Sequence, residues 1–277
     1  LSIKIQQRCR GPWARAFQHA LTGIGSLSSE VGHLGFGTSG IGRSEMGLRV
    51  DVGDKKVWIW TWDYDAGVTH VLKNHPEIDL ILTVQYDPAK DWPTKVQPFT
   101  MFASNQIAFH SDLEKYRGIV RAQEKKYDLG FSGRVWNCRK PWWNVIDNLD
   151  WCEAIATHGQ ATGHNPWGDY MEQLGRWERC LILFGKGSKR CSNRREHECA
   201  ALGIPMVLNY MPTYYHSFQA GIDYHYVSTP ADIMELREGF PPEYWGTLSY
   251  NAFMLWGEHM SPEGIGRLFQ RICKERL

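Results

Sequence analysis

The chain has 277 residues, of which 43% are hydrophobic and 22% charged; this balance excludes an intrinsically disordered segment and leaves enough apolar side chains for two domains of ordinary size. The formal net charge of +1 excludes a broad electrostatic attraction to nucleic acid or anionic lipid, while a local basic groove stays compatible with it. No stretch approaches the roughly 18 consecutive apolar residues of a membrane-spanning helix, and Leu1-Ser2-Ile3-Lys4-Ile5 forms no signal peptide.

In chain order, Ile3 to Gln7 reads as a strand. Gly11-Pro12 then opens a helix whose apolar positions Trp13, Phe17, Leu21 and Ile24 recur at helical spacing. Gly11 lies in the turn between them, where a bare backbone lets a ligand approach, although a plain strand-to-helix turn explains it equally well. Residues 32 to 47 are glycine-rich and include Gly35, Gly37 and Gly40 in a formal G-x-G-x-x-G. That fingerprint needs a strand before it and a helix opening at it. Val31-Gly32-His33-Leu34 and Ile41-Gly42-Arg43-Ser44-Glu45 supply neither well, so the stretch reads as a cleft loop.

Further strands are expected at Val57 to Trp62, Ile78 to Gln85 and Phe99 to Ala103. In open α/β sheets ligands bind beyond the carboxyl ends of strands, which makes Asp63, Asp87 and His110 candidates for a catalytic base. Each is also an ordinary turn former or cap by type and position. Thirteen tryptophans suit a protein that stacks rings on sugars or bases, but alternation puts Trp58, Trp60 and Trp62 on one sheet face, which favours packing.

Residues 116 to 126 are charged and read as a linker between halves. The second half then alternates strand 127–133, helix 141–149, strand 152–156, helix 169–177, strand 180–184, helix 193–202 and strand 204–208. Such alternation implies a parallel sheet with helices on both faces. Near the end, Ser261-Pro262-Glu263 starts a helix with Ile265, Leu268, Phe269 and Ile272 on one side. The seven cysteines show neither paired spacing nor a zinc pattern, which points to free thiols in a cytoplasmic protein and to no metal site.

The most informative stretch is the unit around Arg195. The apolar run Cys180 to Phe184 leads into Gly185-Lys186-Gly187-Ser188-Lys189-Arg190, then a helix capped by Ser192 or Asn193 and ended by Gly203 and Pro205. Five basic residues fall between Lys186 and Arg195, with no acid before Glu196, beside the positive end of a helix dipole. On this helix Arg195, Glu198, Cys199 and Leu202 share one face, and His197 lies off it. A surface Arg-x-x-Glu ion pair is worth only about 0.3 kcal/mol. On an inward face, by contrast, the carboxylate needs a buried partner, such as the paired hydroxyls of a ribose.

The string from Arg195 to Pro205 resembles the R-x-x-E…G-x-P signature of GT-B glycosyltransferases, particularly the spore-maturation (CgeB-like) and group 1 families. Residues 127–134 are similar to the strand and Gly-Arg that open the second domain there, and residues 218–224 with 228–233 to the segment that follows the sugar-nucleotide site. The resemblance implies two Rossmann-like α/β domains whose parallel sheets face a cleft. It sets residues 1–122 on the acceptor side, 123–258 on the donor side, and 259–277 as a helix crossing back to the first domain.

It further implies that Glu198 binds the ribose of a nucleotide-diphosphate sugar, while Arg134, Lys186, Ser188, Lys189 and Arg195 hold the diphosphate and Gly11 adjoins the donor. No cofactor is implied beyond that co-substrate. Transfer would be metal-independent, to a hydroxyl of a glycan, a small molecule or a hydroxymethylated DNA base. One departure stands out: the second acid of many group 1 enzymes, seven residues before the glutamate, is Cys191 here. A nucleotide-sugar-binding protein without activity is the alternative, and an NAD-type oxidoreductase resting on Gly35, Gly37 and Gly40 a weaker one.

Overall fold

Two five-stranded sheets organise the chain in the computed structural model, which describes residues 3–5, 47–60, 65–83, 86, 89–100, 110–133, 135, 137–156, 167–183, 194–210 and 218–277. The first sheet runs β1 (Ile3–Ile5), β2 (Gly47–Val52), β3 (Lys55–Trp60), β4 (Leu80–Thr83) and β5 (Val96–Pro98) in spatial as well as chain order. β1, β2 and β3 pair antiparallel, while β3, β4 and β5 pair parallel across the helix α1 (Asp65–Asn74). This sheet is therefore mixed, where an all-parallel one was expected.

The added hairpin has a local cause. Val50 and Val52 alternate with polar neighbours and are buried, and the turn at Gly53 needs the positive φ of 64° that glycine adopts without strain. Of the strand expected at Phe99 to Ala103, residues 101–103 lie outside the described residues; a strand is found just before it, at Val96–Pro98. Pro98 has no N–H to offer, yet it is tolerated at the end of a strand that is the sheet's edge among the described residues, and the Phe99 amide continues the ladder by donating to the Thr83 carbonyl at 2.8 Å.

β3 lies between two strands and is covered on both faces, so Val57, Trp58 and Ile59 are all buried. Trp58 packs with Val68, Val71, Ile78, Ile81 and Val96 and stacks on the His75 ring with centroids 5.7 Å apart. It is a core residue rather than a sugar platform. The side chains of Trp60 and Trp62 lie outside the described residues.

The second sheet is fully parallel: β6 (Tyr127–Gly133), β7 (Cys152–Ala156), β8 (Trp177–Ile182), β9 (Met206–Leu208) and β10 (His225–Tyr226), in spatial order β10-β9-β8-β6-β7. This is the expected Rossmann-like alternation, and β6 and β7 fall at the residues the pattern predicts. The helices are α2 (His110–Ala122), α3 (Lys140–Ile146), α4 (Trp167–Gly175), α5 (Arg194–Leu202), α6 (Pro242–Leu255) and α7 (Pro262–Arg276). A 3-10 helix (Pro230–Leu236) and a π turn (Trp256–Met260) complete the unit. Among the described residues no helix is long and apolar enough to cross a membrane.

Strand periodicity sorts the core into two layers. Cys180, Ile182, Met206 and Leu208 point toward Tyr116, Val120, Met171, Leu174, Cys199 and Ala252, which α2, α4, α5 and α6 supply. Their neighbours Leu181, Leu183 and Val207 point the other way, toward Trp142, Ile146, Ile233, Leu236, Trp245 and Leu248. The segment read as a linker is thus corrected in its first part. Residues 116–122 are the closing turns of α2, and their apolar positions are buried in the first of these layers.

Two of the helix ends obey their local chemistry. α5 ends in a Schellman motif: Gly203 has φ 72°, its amide donates to Ala200, and the Ile204 amide reaches Cys199 at 2.9 Å. At the start of α7 the Ser261 hydroxyl accepts from the Gly264 amide at 3.1 Å, and Ile265, Leu268, Phe269 and Ile272 are buried as the spacing predicts.

At Gly130 in β6 there is no room for a side chain, because an added Cβ would lie 1.8 Å from the indole of Trp177. That indole is fully buried and donates from Nε1 to the Glu153 carboxylate at 2.6 Å, so it cannot swing aside without losing the bond. Gly130→Ala is expected to cost about 1–3 kcal/mol through overpacking. A urea midpoint equal to that of the unsubstituted protein would show that this contact does not constrain the sheet.

Candidate functional site

β6 and β8 are neighbours, but the chain leaves them in opposite directions: β7 lies on the far side of β6, and β9 on the far side of β8. In an open parallel sheet this divergence opens a crevice at the carboxyl ends of the two strands, which is where ligands of such folds bind. Arg195 and Arg139 both reach that edge. The Arg195 guanidinium donates from Nη1 to the carbonyl of Ser132, the penultimate residue of β6. The Arg139 guanidinium donates from Nη2 at 2.5 Å to the carbonyl of Leu183, the residue after β8.

α5 begins at the same edge and presents Arg195 and Glu198 there. They are joined through a third residue. Arg195 Nε donates to the Tyr170 hydroxyl at 3.0 Å, and that hydroxyl donates to Glu198 Oε2 at 3.0 Å. The guanidinium also lies 5.5 Å from the centre of the Tyr170 ring. Glu198 is only 5% exposed, so its carboxylate relies on protein partners in place of water. Among the described residues, no donor meets its second oxygen, Oε1.

The electrostatics are consistent with those roles. Burial pushes the Tyr170 hydroxyl well above its ordinary range, and Glu198 adds to that against the opposing pull of Arg195, so the phenol stays protonated and able to donate. Burial also lowers Arg139 to about 10, and the nearby Arg195 charge pushes it in the same direction. The two guanidinium groups repel one another, and an anion beside them would relieve the repulsion. Burial raises the Cys199 thiol well above its usual range, as does its hydrogen bond with Cys180, so this sulfur is a packed thiol and not a nucleophile.

The rest of α5 corrects one expectation. His197 is fully buried, as is Glu196, because the helix is covered on its sheet side and again by α2, α6 and the π turn. Glu196 accepts from the Tyr210 hydroxyl, and His197 lies against the Phe218 ring with centroids 5.8 Å apart. Burial lowers the His197 pKa to about 3, which leaves the ring neutral at ordinary pH.

Of the residues singled out from sequence, Arg195 and Glu198 are brought together, bridged by Tyr170 rather than paired directly. His110 is the first residue of α2, and its side chain lies outside the described residues. So do Gly11, Asp63, Asp87, Arg134, Lys186, Ser188 and Lys189, along with the helix-capping pair Ser192 and Asn193, Cys191, and the glycines at 35, 37 and 40. Tyr170 and Arg139 were not foreseen. The only sequence signal for Arg139 is a basic residue shortly after a buried strand and just ahead of Pro141, a helix-opening proline. Tyr170 gives no signal beyond its place on an amphipathic helix.

No protein-family model and no curated protein matches the chain. Among solved structures it is similar to AviGT4, a glycosyltransferase involved in avilamycin A biosynthesis, with 11% identity over 76% of this chain and 77% of that one and a TM-score of 0.40. That likeness is too distant to assign any residue.

Two outcomes are expected here. Tyr170→Phe strips Glu198 of its donor and should destabilise the fold by about 1–3 kcal/mol in urea titrations, whereas an unchanged midpoint would mean the bridge is energetically idle. For His197, the unfolded chain takes up a proton near pH 6.5 and the folded chain only near 3, so stability should fall as the pH drops through that window, by up to about 1.4 kcal/mol per pH unit. His197→Gln should flatten that limb of the stability curve; an unaltered slope would exclude His197 as its source.

Proposed function

We propose that the chain is a nucleotide-sugar-dependent glycosyltransferase whose donor binds at the carboxyl edge of the parallel sheet. The observation that carries the reading is the buried Arg195–Tyr170–Glu198 bridge, set beside Arg139 where β6 and β8 diverge. An acid buried to this degree, with one oxygen committed to a phenol and the other without a donor among the described residues, suits a ligand bearing a hydroxyl pair. A ribose is such a ligand. The arginines and the amino end of α5 suit its diphosphate.

In this reading the bond between the anomeric carbon and the β-phosphate oxygen breaks, the nucleoside diphosphate departs with the electron pair, and the acceptor hydroxyl takes its place. Negative charge grows on the departing phosphate. Arg195, Arg139 and the basic residues Arg134, Lys186 and Lys189, with Ser188, would stabilise it without a metal. The acceptor proton would pass to a base, for which Asp63, Asp87 and His110 are the candidates. The domain organisation proposed with it sets residues 1–122 and 123–258 on either side of a cleft, with the end of the chain crossing back.

Cys191, in the place of a second acid, favours one rival: a protein that holds a nucleotide sugar without turning it over. A thermal-shift panel of UDP-, GDP-, ADP- and TDP-sugars, followed by assays of transfer and donor hydrolysis, separates the two. A stabilising donor that is also consumed supports the transferase, and one that stabilises but is never consumed supports the rival. With the active donor, Glu198→Ala should raise KM at least tenfold, and Arg195→Lys and Arg139→Lys should lower kcat. Unchanged donor kinetics in all three would remove this site from the reaction.

A further inference from the structure

At the opposite, amino end of the same sheet lies a second concavity of about 860 Å³, within the size range of small-molecule sites. Its floor is the start of β6 and β8 and the turn after α5; its walls are α2 and α6. It is separate from the donor site, whose residues gather beyond the carboxyl ends of those strands.

Five basic side chains line it, Arg117, Arg121, Lys125, Arg179 and Arg237, against two carboxylates, Asp128 and Glu178. Arg117 and Arg237 have acidic partners, Glu114 for the first and Asp128 with Asp150 for the second. The other three make no ion pair among the described residues. The Arg179 Nη1 donates to the Leu236 carbonyl at 3.2 Å and its Nε is closed off among protein atoms, so the rest of the guanidinium is what it offers to the groove.

Aromatic rings alternate with these cations. The Arg179 guanidinium lies 4.4 Å from the centre of the Trp245 ring, and that of Arg117 lies 4.7 Å from the centre of Phe253. Tyr250 stands beside them on α6 with 62% of its surface exposed. Guanidinium groups already lying against rings, together with an exposed phenol, form a platform for a planar ring, while the cations without an ion pair, of which Lys125 also donates to the Trp177 carbonyl at 2.6 Å, suit phosphate.

We propose that this groove binds a nucleotide, with its phosphates on Arg121, Lys125 and Arg179 and its base against Tyr250 and Arg117. The inference is independent of the glycosyltransferase reading. Gly246 supplies a clean test, because on α6 it faces the groove and an added Cβ there meets nothing within 4 Å. Gly246→Leu should fill the space without disturbing the helix, which a leucine favours over glycine.

The experiment is calorimetric titration of the whole chain with ATP, inorganic triphosphate and adenosine, repeated for Gly246→Leu, Arg121→Glu and Glu198→Ala. ATP binding at the groove should persist in Glu198→Ala whatever that variant loses at the donor site, and should be at least tenfold weaker in Gly246→Leu and in Arg121→Glu. Triphosphate and adenosine should each bind at least tenfold more weakly than ATP. Should Gly246→Leu fail to fold, Arg121→Glu decides, since that side chain is exposed and unpaired among the described residues. The proposal is overturned if ATP does not bind, if it binds both groove variants as tightly as the parent, if triphosphate alone matches ATP, or if Glu198→Ala is the variant that abolishes binding.

Discussion

A carboxylate kept almost out of water at the edge of a parallel sheet governs the architecture of the second half of this chain. Glu198 is held in that position because a phenol donates to it and a guanidinium in turn donates to the phenol. Each link is fixed from elsewhere: Arg195 is anchored on a β6 carbonyl, Tyr170 by helix α4, and Glu198 by α5. A shift of any one of these elements by an ångström would leave a charged group stranded. The bridge therefore restricts how α4 and α5 can sit on the sheet, and the same restriction gives the crevice a defined shape.

The layering beneath it is simpler physics. Successive residues of β8 and β9 face opposite sides, and each side meets its own set of helices, so the strands are apolar on both faces and read as continuous hydrophobic runs. Close approach is paid for at Gly130, where the missing side chain makes room for Trp177. What leaves the sheet at its two ends is polar: arginines at the carboxyl edge, and a ring of arginine, lysine and aromatic side chains at the amino edge.

Legibility followed the range of the forces involved. β6 and β7 could be read to the residue because buried parallel strands and intervening helices leave a strong periodic signal. The Gly203-Ile204-Pro205 stop and the Ser261 cap are local chemistry, and both occur as read. The hairpin β2–β3 was missed although Gly53-Asp54 between alternating residues is a hairpin signal, because the glycine-rich stretch before it drew the reading toward a loop. At the site, the spacing of Arg195 and Glu198 puts both on one face of the helix, and there they share Tyr170 as a partner. Their mediator could not be read, since Tyr170 lies 25 residues away from Arg195 and reaches it only through the tertiary fold. Arg139 was invisible for the same reason: its meaning comes from a carbonyl 44 residues further on. The burial of His197 was misjudged because a helical wheel assumes one dry face, and α5 has cover on nearly all sides.

That cover has a consequence for how the molecule assembles. Glu196, His197 and Glu198 are consecutive on a nine-residue helix, and all three are stripped of water when it docks. A half-seated helix would have surrendered hydration without yet gaining Tyr170 and Tyr210 as hydrogen-bond donors, so intermediate placements are disfavoured and the segment joins the sheet in a single cooperative step. The buried charges that shape the crevice thus gain their partners only when the helix is fully docked.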